Sequence, residues 1–253
     1  MTLSVTQWHQ RYIQQAVWTQ DIRRYIYEKI GIQRARRILD IGCGTGVLEN
    51  ELNQLCSADI FGLDLDFDPL RIARDYASKS KYSTGDCLHL PYRDRVFDIS
   101  LCHFLLLWVT DVTHTLEELR RVTSPRGYIL ALAEPDYGGR IDFPDELSQI
   151  GKWQAIALRQ QGANPLMGRQ LRSLFSGAGL ENIEVGVLGG QWHAEKTNRD
   201  GELEWDIIQS DLSQNIEFLQ QSENLKTLDF TSRRNSQRVL YVPTFYAIGI
   251  APG

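Results

Sequence analysis

The stretch Leu39-Asp40-Ile41-Gly42-Cys43-Gly44-Thr45-Gly46 carries the clearest chemistry in this sequence. Glycines between a strand and a helix let the backbone turn sharply and let a ligand approach main-chain N–H groups at the helix amino terminus. A dinucleotide fingerprint wants G-x-G-x-x-G, but Gly42-x-Gly44-x-Gly46 is followed by Val47, so the third glycine falls one place early. Asp40, just ahead of the loop, would repel a pyrophosphate and attract an ammonium or a sulfonium. Asp64 follows Gly44 by twenty residues and closes the run from Ile60, where a carboxylate can accept both hydroxyls of a ribose. Asp86, in Thr84-Gly85-Asp86-Cys87, is placed to accept from an exocyclic adenine amine. Any one of these acids is equally well read as a turn-forming residue. Three at successive strand ends, where open α/β sheets bind ligands, describe a pocket for a nucleoside carrying net positive charge.

Such a pocket needs strands to end side by side, and the pattern supplies them. Arg37 to Ile41, Asp59 to Leu65, Lys81 to Thr84, Val96 to Cys102 and Tyr128 to Ala133 read as strands. Val47 to Leu55, Pro69 to Ser78 and Asp111 to Val122 read as the helices between them. This alternation predicts right-handed βαβ units and a mostly parallel, doubly wound α/β sheet covered on both faces. Ahead of it, residues 5–29 have helical spacing and end at Gly31, a C-cap candidate. Beyond Glu134, helices are expected over Glu146 to Gln161, Gly168 to Ala178 and Glu202 to Gln220, with late strands at Ile183 to Leu188 and Leu240 to Ile250. Residues 1–253 thus read as one domain with additions at 1–30, 137–170 and 190–238.

Composition bounds the partners. Lys and Arg number 27 against 32 Asp and Glu, a formal net charge of −5, which lacks the basic footprint nucleic-acid binding usually needs. The clusters Arg34/Arg36/Arg37 and Arg233/Arg234/Arg238 read as solvated faces. The longest apolar stretch, Phe104 to Val109, is too short to span a bilayer, and MTLSVTQWHQ has no secretory pattern. Cys43, Cys56, Cys87 and Cys102 show neither CxxC nor zinc-ligand spacing, so no metal is expected and a reducing cytoplasm is.

S-adenosylmethionine fits a cationic nucleoside pocket of this kind; NADP does not. The chain resembles the class I S-adenosylmethionine-dependent methyltransferases, in the broad subgroup that acts on small molecules and includes the ubiquinone/menaquinone- and biotin-pathway enzymes. The resemblance covers roughly residues 36–135. Leu39 to Gly46 is nearly the family's first motif, Gly62-Leu63-Asp64 resembles its ribose motif, and Gly85-Asp86-Cys87 with Leu90-Pro91 its adenine motif. Phe97-Asp98 through His103-Phe104 and Trp108-Val109 resembles the fourth-strand motif. The usual Pro-Gly-Gly turn reads Pro125-Arg126-Gly127. The resemblance implies a Rossmann-like seven-stranded sheet whose last strand is antiparallel. It implies S-adenosyl-L-methionine as cofactor, held by Asp40, Gly42, Cys43, Gly44, Gly46, Asp64, Leu65, Asp86, Cys87 and His103. It also implies a lid from 1–30, with Arg11, Tyr12 and Trp18 facing the ligands.

Methyl transfer is an in-line displacement, so the protein mainly aligns groups and excludes water, and needs a base only if the acceptor must lose a proton. His103, a near-neutral titrator at a strand end, is the candidate base, against an equal reading as a structural hydrogen-bonder. Trp108, Glu134 and Tyr137 are candidate acceptor contacts, although Glu134-Pro135-Asp136 also reads as a loop former. The stripe Trp8, Tyr12, Trp18 and Tyr25 reads first as packing. Insertions 137–170 and 190–238, with Trp153 and Trp192, are expected to wall a small organic acceptor. The competing readings are a nicotinamide-dependent oxidoreductase on a similar sheet and a non-catalytic cofactor-binding scaffold.

Overall fold

Strands β1 (Arg37–Ile41), β2 (Asp59–Asp64), β3 (Lys81–Thr84), β4 (Phe97–Cys102) and β5 (Thr123–Pro135) run parallel in the spatial order β3-β2-β1-β4-β5. The structure is a computed structural model and describes residues 4–187, 189 and 198–253. Trp192 and part of the 190–238 addition lie outside the described residues. Alternate residues of each central strand face opposite layers. Ile38, Ile99 and Leu130 join one buried cluster with Ile26 and Leu52, while Leu39, Cys102 and Ile129 join the other with Leu116 and Phe175. Burial on both faces is why these strands read as continuous apolar runs. The strand order reverses between β1 and β4, which opens a crevice at their carboxyl ends.

Helices α3 (Val47–Leu55), α4 (Phe67–Tyr76) and α5 (Val112–Val122) make the crossovers. After α6 (Ser148–Gln160) and α7 (Leu171–Gly177), β7 (Glu181–Val187) adds to the sheet. The last strand, β9 (Thr244–Ile250), lies antiparallel between β5 and β7, giving the expected seven strands. Arg126 sits at φ 64, in the left-handed region that the family's glycine would occupy without strain.

Three runs are each broken in two. The amino-terminal helix divides into α1 (Val5–Trp18) and α2 (Gln20–Ile30) at Thr19, whose hydroxyl donates back to the Gln15 carbonyl (3.0 Å). Gly31 at φ 66 caps α2 as expected. The run from Leu240 divides at Pro243, which has no N–H for a ladder. Its first part, β8 (Val239–Tyr241), pairs instead with β6 (Ile141–Phe143) in a separate two-stranded sheet. The run over Glu202 to Gln220 becomes α8 (Asn198–Leu212) and α9 (Ile216–Arg234), with the Asn215 side chain accepting from the Phe218 N–H to start the second helix.

Helices α6, α8 and α9 form a cap with its own core around the fully buried Trp205, whose indole N–H donates to Asp229 (2.9 Å). Trp153 stacks on Phe218 in this core, with ring centroids 5.3 Å apart, and is no acceptor wall. Arg233 and Arg238 are likewise not a solvated face. Arg233 pairs with Asp229 and Glu204, Arg238 with Asp229 and Asp142, and their side chains are 9% and 5% exposed. Asp229 lies near both arginines in the sequence, but Glu204 and Asp142 come from distant positions that sequence order could not bring to them. Asp229→Ala leaves two buried guanidinium groups short of their shared carboxylate, so a loss of about 3–5 kcal/mol is expected in urea unfolding. A change within experimental error refutes this account of the network.

Candidate cofactor and acceptor site

A cavity of about 690 Å³ lies over the carboxyl ends of β1, β2 and β4, beneath α1. Its size falls in the range of small-molecule sites, about 300–1,000 Å³. The glycine loop forms its floor. The N–H groups of Gly42 and Cys43 donate to the Leu63 carbonyl (2.7 and 3.1 Å), tying the loop to the end of β2. Gly44, at φ 54, lies under the Tyr12 ring; a Cβ there would stand 3.0 Å from Tyr12 Cε2. Its N–H donates to Asp64 Oδ2 (2.8 Å). His9 Nδ1 meets Thr45 Oγ1 at 2.7 Å, so α1 is fastened across the loop.

The acids separate into two kinds. Asp64 Oδ1 accepts from the Asp66 N–H (3.0 Å) and Asp86 Oδ1 from the Leu88 N–H (2.9 Å), each two residues on, so both shape turns while lining the cavity. The turn reading and the ligand reading therefore hold together. Asp40 is different: it is 2% exposed, lines the cavity and has an Oδ1 with no hydrogen-bond partner. Behind the loop lies Glu49, fully buried, with neither oxygen partnered. Burial raises both carboxyls, Asp40 well above the usual range and Glu49 to about 8. The charge of Glu49 then adds to the rise at Asp40, whereas the polarity of Glu49's own amide and of the Cys43 thiol opposes the rise at Glu49. Uncompensated buried carboxylates beside a cavity fit a cationic ligand and disfavour a pyrophosphate.

Other expected residues fall into two groups. Cys43, Leu65, Cys87, His103, Arg11, Tyr12 and Trp108 line the cavity, as do Gly42 and Gly44. Gly46 starts α3 behind the loop, packed against Ala73 and Tyr82, and does not line it. Trp18 is 40% exposed at the end of α1, away from the cavity. Tyr137 packs against the core beside β5 because its N–H is tied to the Pro165 carbonyl (2.9 Å). Glu134 is also not an acceptor contact. It is fully buried and accepts from the N–H groups of Leu105, Leu106 and Leu107 (3.1, 2.9 and 3.1 Å), shaping the turn that carries Phe104 and Trp108. Burial lifts its carboxyl to about 7, against those three donors.

His103 Nε2 meets Thr19 Oγ1 at 2.8 Å, at the junction of α1 and α2. Burial and, after it, the Arg23 charge hold its pKa well below the usual value, so the ring is neutral near pH 7. Sequence reasoning missed Glu49 and the cavity residues Gln161, Ser210 and Asp211. Glu49 had a weak signal, an acid on the inner face of an amphipathic helix. The others had none, because their cap is folded over the sheet from positions far along the chain.

Comparisons with known proteins agree with this geometry. Residues 39–131 match a family described as a methyltransferase domain. A malonyl-[acyl-carrier protein] O-methyltransferase of Erwinia billingiae is 32% identical over 178 residues, which cover 62% of this chain and 70% of that one. An uncharacterized methyltransferase of Schizosaccharomyces pombe is 29% identical over 154 residues, 56% of this chain, and the chain spans about half of that relative's length (55%). A putative sarcosine dimethylglycine methyltransferase from Galdieria sulphuraria shares the fold at TM-score 0.60 and 17% identity, over 92% of this chain and 85% of that one. The chain belongs to the class I S-adenosylmethionine-dependent methyltransferases. The nicotinamide and scaffold readings gain no support. Among the described residues, no helix is long and apolar enough to cross a membrane.

The buried acids yield a test. Asp40 and Glu49 bind protons more tightly in the folded chain than in the unfolded one. Stability tied to Glu49 is therefore whole below about pH 4.5 and is lost as the pH rises through about 8. Within that window the ligand-free chain should lose up to about 1.4 kcal/mol per pH unit from this group, a slope that Glu49→Gln flattens. Parallel stability–pH curves for the two proteins in urea titrations contradict the assignment.

Proposed function

We propose that this chain transfers a methyl group from S-adenosylmethionine to a small organic acceptor held between α1, the 104–110 segment and the cap. The observation that carries this reading is a cavity with two unlike kinds of lining. Asp40, Asp64 and Asp86, at three successive strand ends, line it together with the aromatic rings of Trp8, Phe104 and Trp108. When bound, S-adenosylmethionine supplies a sulfonium methyl open to in-line displacement.

The chain's own residues bind, orient and dry the site. Asp40 offers its unpaired Oδ1 to a cation, and Asp64 retains lone pairs for hydroxyl donors beyond the two N–H groups it already accepts. Asp86 and the main chain at Cys87 sit where a purine edge would lie. Tyr12 and Trp8 close the roof, and their area excludes water from the reacting groups. His103 is a positioning residue in this scheme: its ring, through Thr19, holds the α1–α2 junction against the end of β4. Arg23 donates to the same Thr19 hydroxyl (2.6 Å) and to Glu51, which stiffens the joint.

S-adenosylhomocysteine should raise the melting temperature where NADH does not, and label from methyl-labelled S-adenosylmethionine should appear in a small organic product. Stabilisation by NADH alone refutes the reading. Asp64→Ala should weaken S-adenosylhomocysteine binding by about 1–3 kcal/mol in calorimetry, from charge-assisted bonds lost. Unchanged affinity removes Asp64 from the binding set.

A further inference from the structure

The cavity lining also includes a cation, Arg11, that has no hydrogen-bond partner among the described residues. Arg11, on α1, is only 12% exposed, yet among the described residues it makes no hydrogen bond, and its Nε is buried without a partner. Other buried guanidinium groups among the described residues do make hydrogen bonds. Arg23 donates to Glu51, to the Ala16 carbonyl and to Thr19, and Arg140 donates to Asp142 and Gln154. Arg11 is instead fixed by its surroundings. Its guanidinium lies 4.8 Å from the centroid of the Trp8 ring, and its Nη2 stands 3.9 Å from Asp211 Oδ1, beyond hydrogen-bond reach.

Asp211 cannot readily swing over to complete that pair. Its other oxygen accepts from Gln154 Nε2 (3.0 Å), and Gln154 Oε1 accepts in turn from Arg140 Nη1 (2.5 Å). The carboxylate is thus anchored to the cap while the guanidinium stays on the lid. A buried donor left without an acceptor is unfavourable, so an oxyanion reaching Arg11 gains what the protein itself withholds. A planar guanidinium suits a carboxylate, which can accept two parallel N–H bonds. The cavity also bears Asp40, Asp64, Asp86 and Asp211, so a dianion such as phosphate meets more repulsion than a monoanion.

Resting on the methyltransferase reading above, we infer that the acceptor is a monocarboxylate with an apolar body, its carboxylate held by Arg11 and its body by Trp8, Phe104 and Trp108. The assignment concerns recognition and leaves open which atom receives the methyl.

The test uses the full chain saturated with S-adenosylhomocysteine and three matched probe pairs: phenylacetate, 3-phenylpropionate and hexanoate, each against its primary amide. Calorimetry should show each acid binding about tenfold or more tightly than its amide, the range a charge-assisted bond supplies. Arg11→Gln should reduce the acids to the level of the amides while S-adenosylhomocysteine affinity changes little, and Asp211→Asn should tighten the acids. Equal binding of acids and amides, no binding of any probe at millimolar concentration, or a preference that survives Arg11→Gln overturns the assignment. Failure of S-adenosylhomocysteine to bind the unaltered chain removes the methyltransferase reading with it; normal binding with no acid preference removes this inference alone.

Discussion

Buried carboxyl groups that the protein leaves without hydrogen-bond partners are the constraint around which this molecule is organised. Asp40 ends β1 at the point where strand order reverses, and Glu49 lies one turn into the helix that follows the glycine loop. Neither has a full set of hydrogen-bond donors. Globular proteins ordinarily pair or expose such groups, because an isolated carboxylate in a low-dielectric interior is strongly disfavoured. Here the loop turns its main chain toward Leu63 and Asp64 rather than toward the acids, so the imbalance is kept at the cavity floor. Burial disfavours their charged forms, which is why both carboxyls stand above the usual carboxylate range.

The same division between saturated and unsaturated charge runs through the cap. From Arg233 through Asp229, Arg238, Asp142, Arg140 and Gln154 to Asp211, each side chain is bonded to the next, and the run stops at the cavity facing Arg11. Those contacts rigidify the wall that the insertions contribute. Alpha1 belongs to the other side. It is fastened to the glycine loop by His9 and to the end of β4 by Thr19 and His103, and so carries its aromatic roof over the cavity. The glycine-loop floor and the cap wall therefore share one lid but are anchored separately.

The strands, crossover helices and glycine loop were legible in the sequence because their signals are local. Apolar runs of strand length, amphipathic helices between them, and glycines at positive φ each depend on neighbours within a few residues, and Val47 to Leu55 and Lys81 to Thr84 match their expected ends. Local capping also explains the failures. Thr19, Asn215 and Pro243 interrupt runs whose hydrophobic spacing continues across them, and periodicity alone does not weigh one hydroxyl, amide or missing N–H against that spacing.

What the sequence alone determined is the scaffold and the identity of the acids at its strand ends, since chain order and right-handed crossovers leave few places for them. What only the tertiary structure decided is which charges are paired. Glu134 turned from acceptor contact to backbone clamp, Arg233 and Arg238 from solvated face to buried network, and Asp211 from an unremarked cap residue to the partner of Arg11. Electrostatic fate depends on distance and burial, and those are set where the fold brings segments together, as it does for Glu134 with the 105–107 turn and for Arg238 with Asp142, 96 residues away. No local pattern encodes that meeting; folding of the cap onto the sheet does.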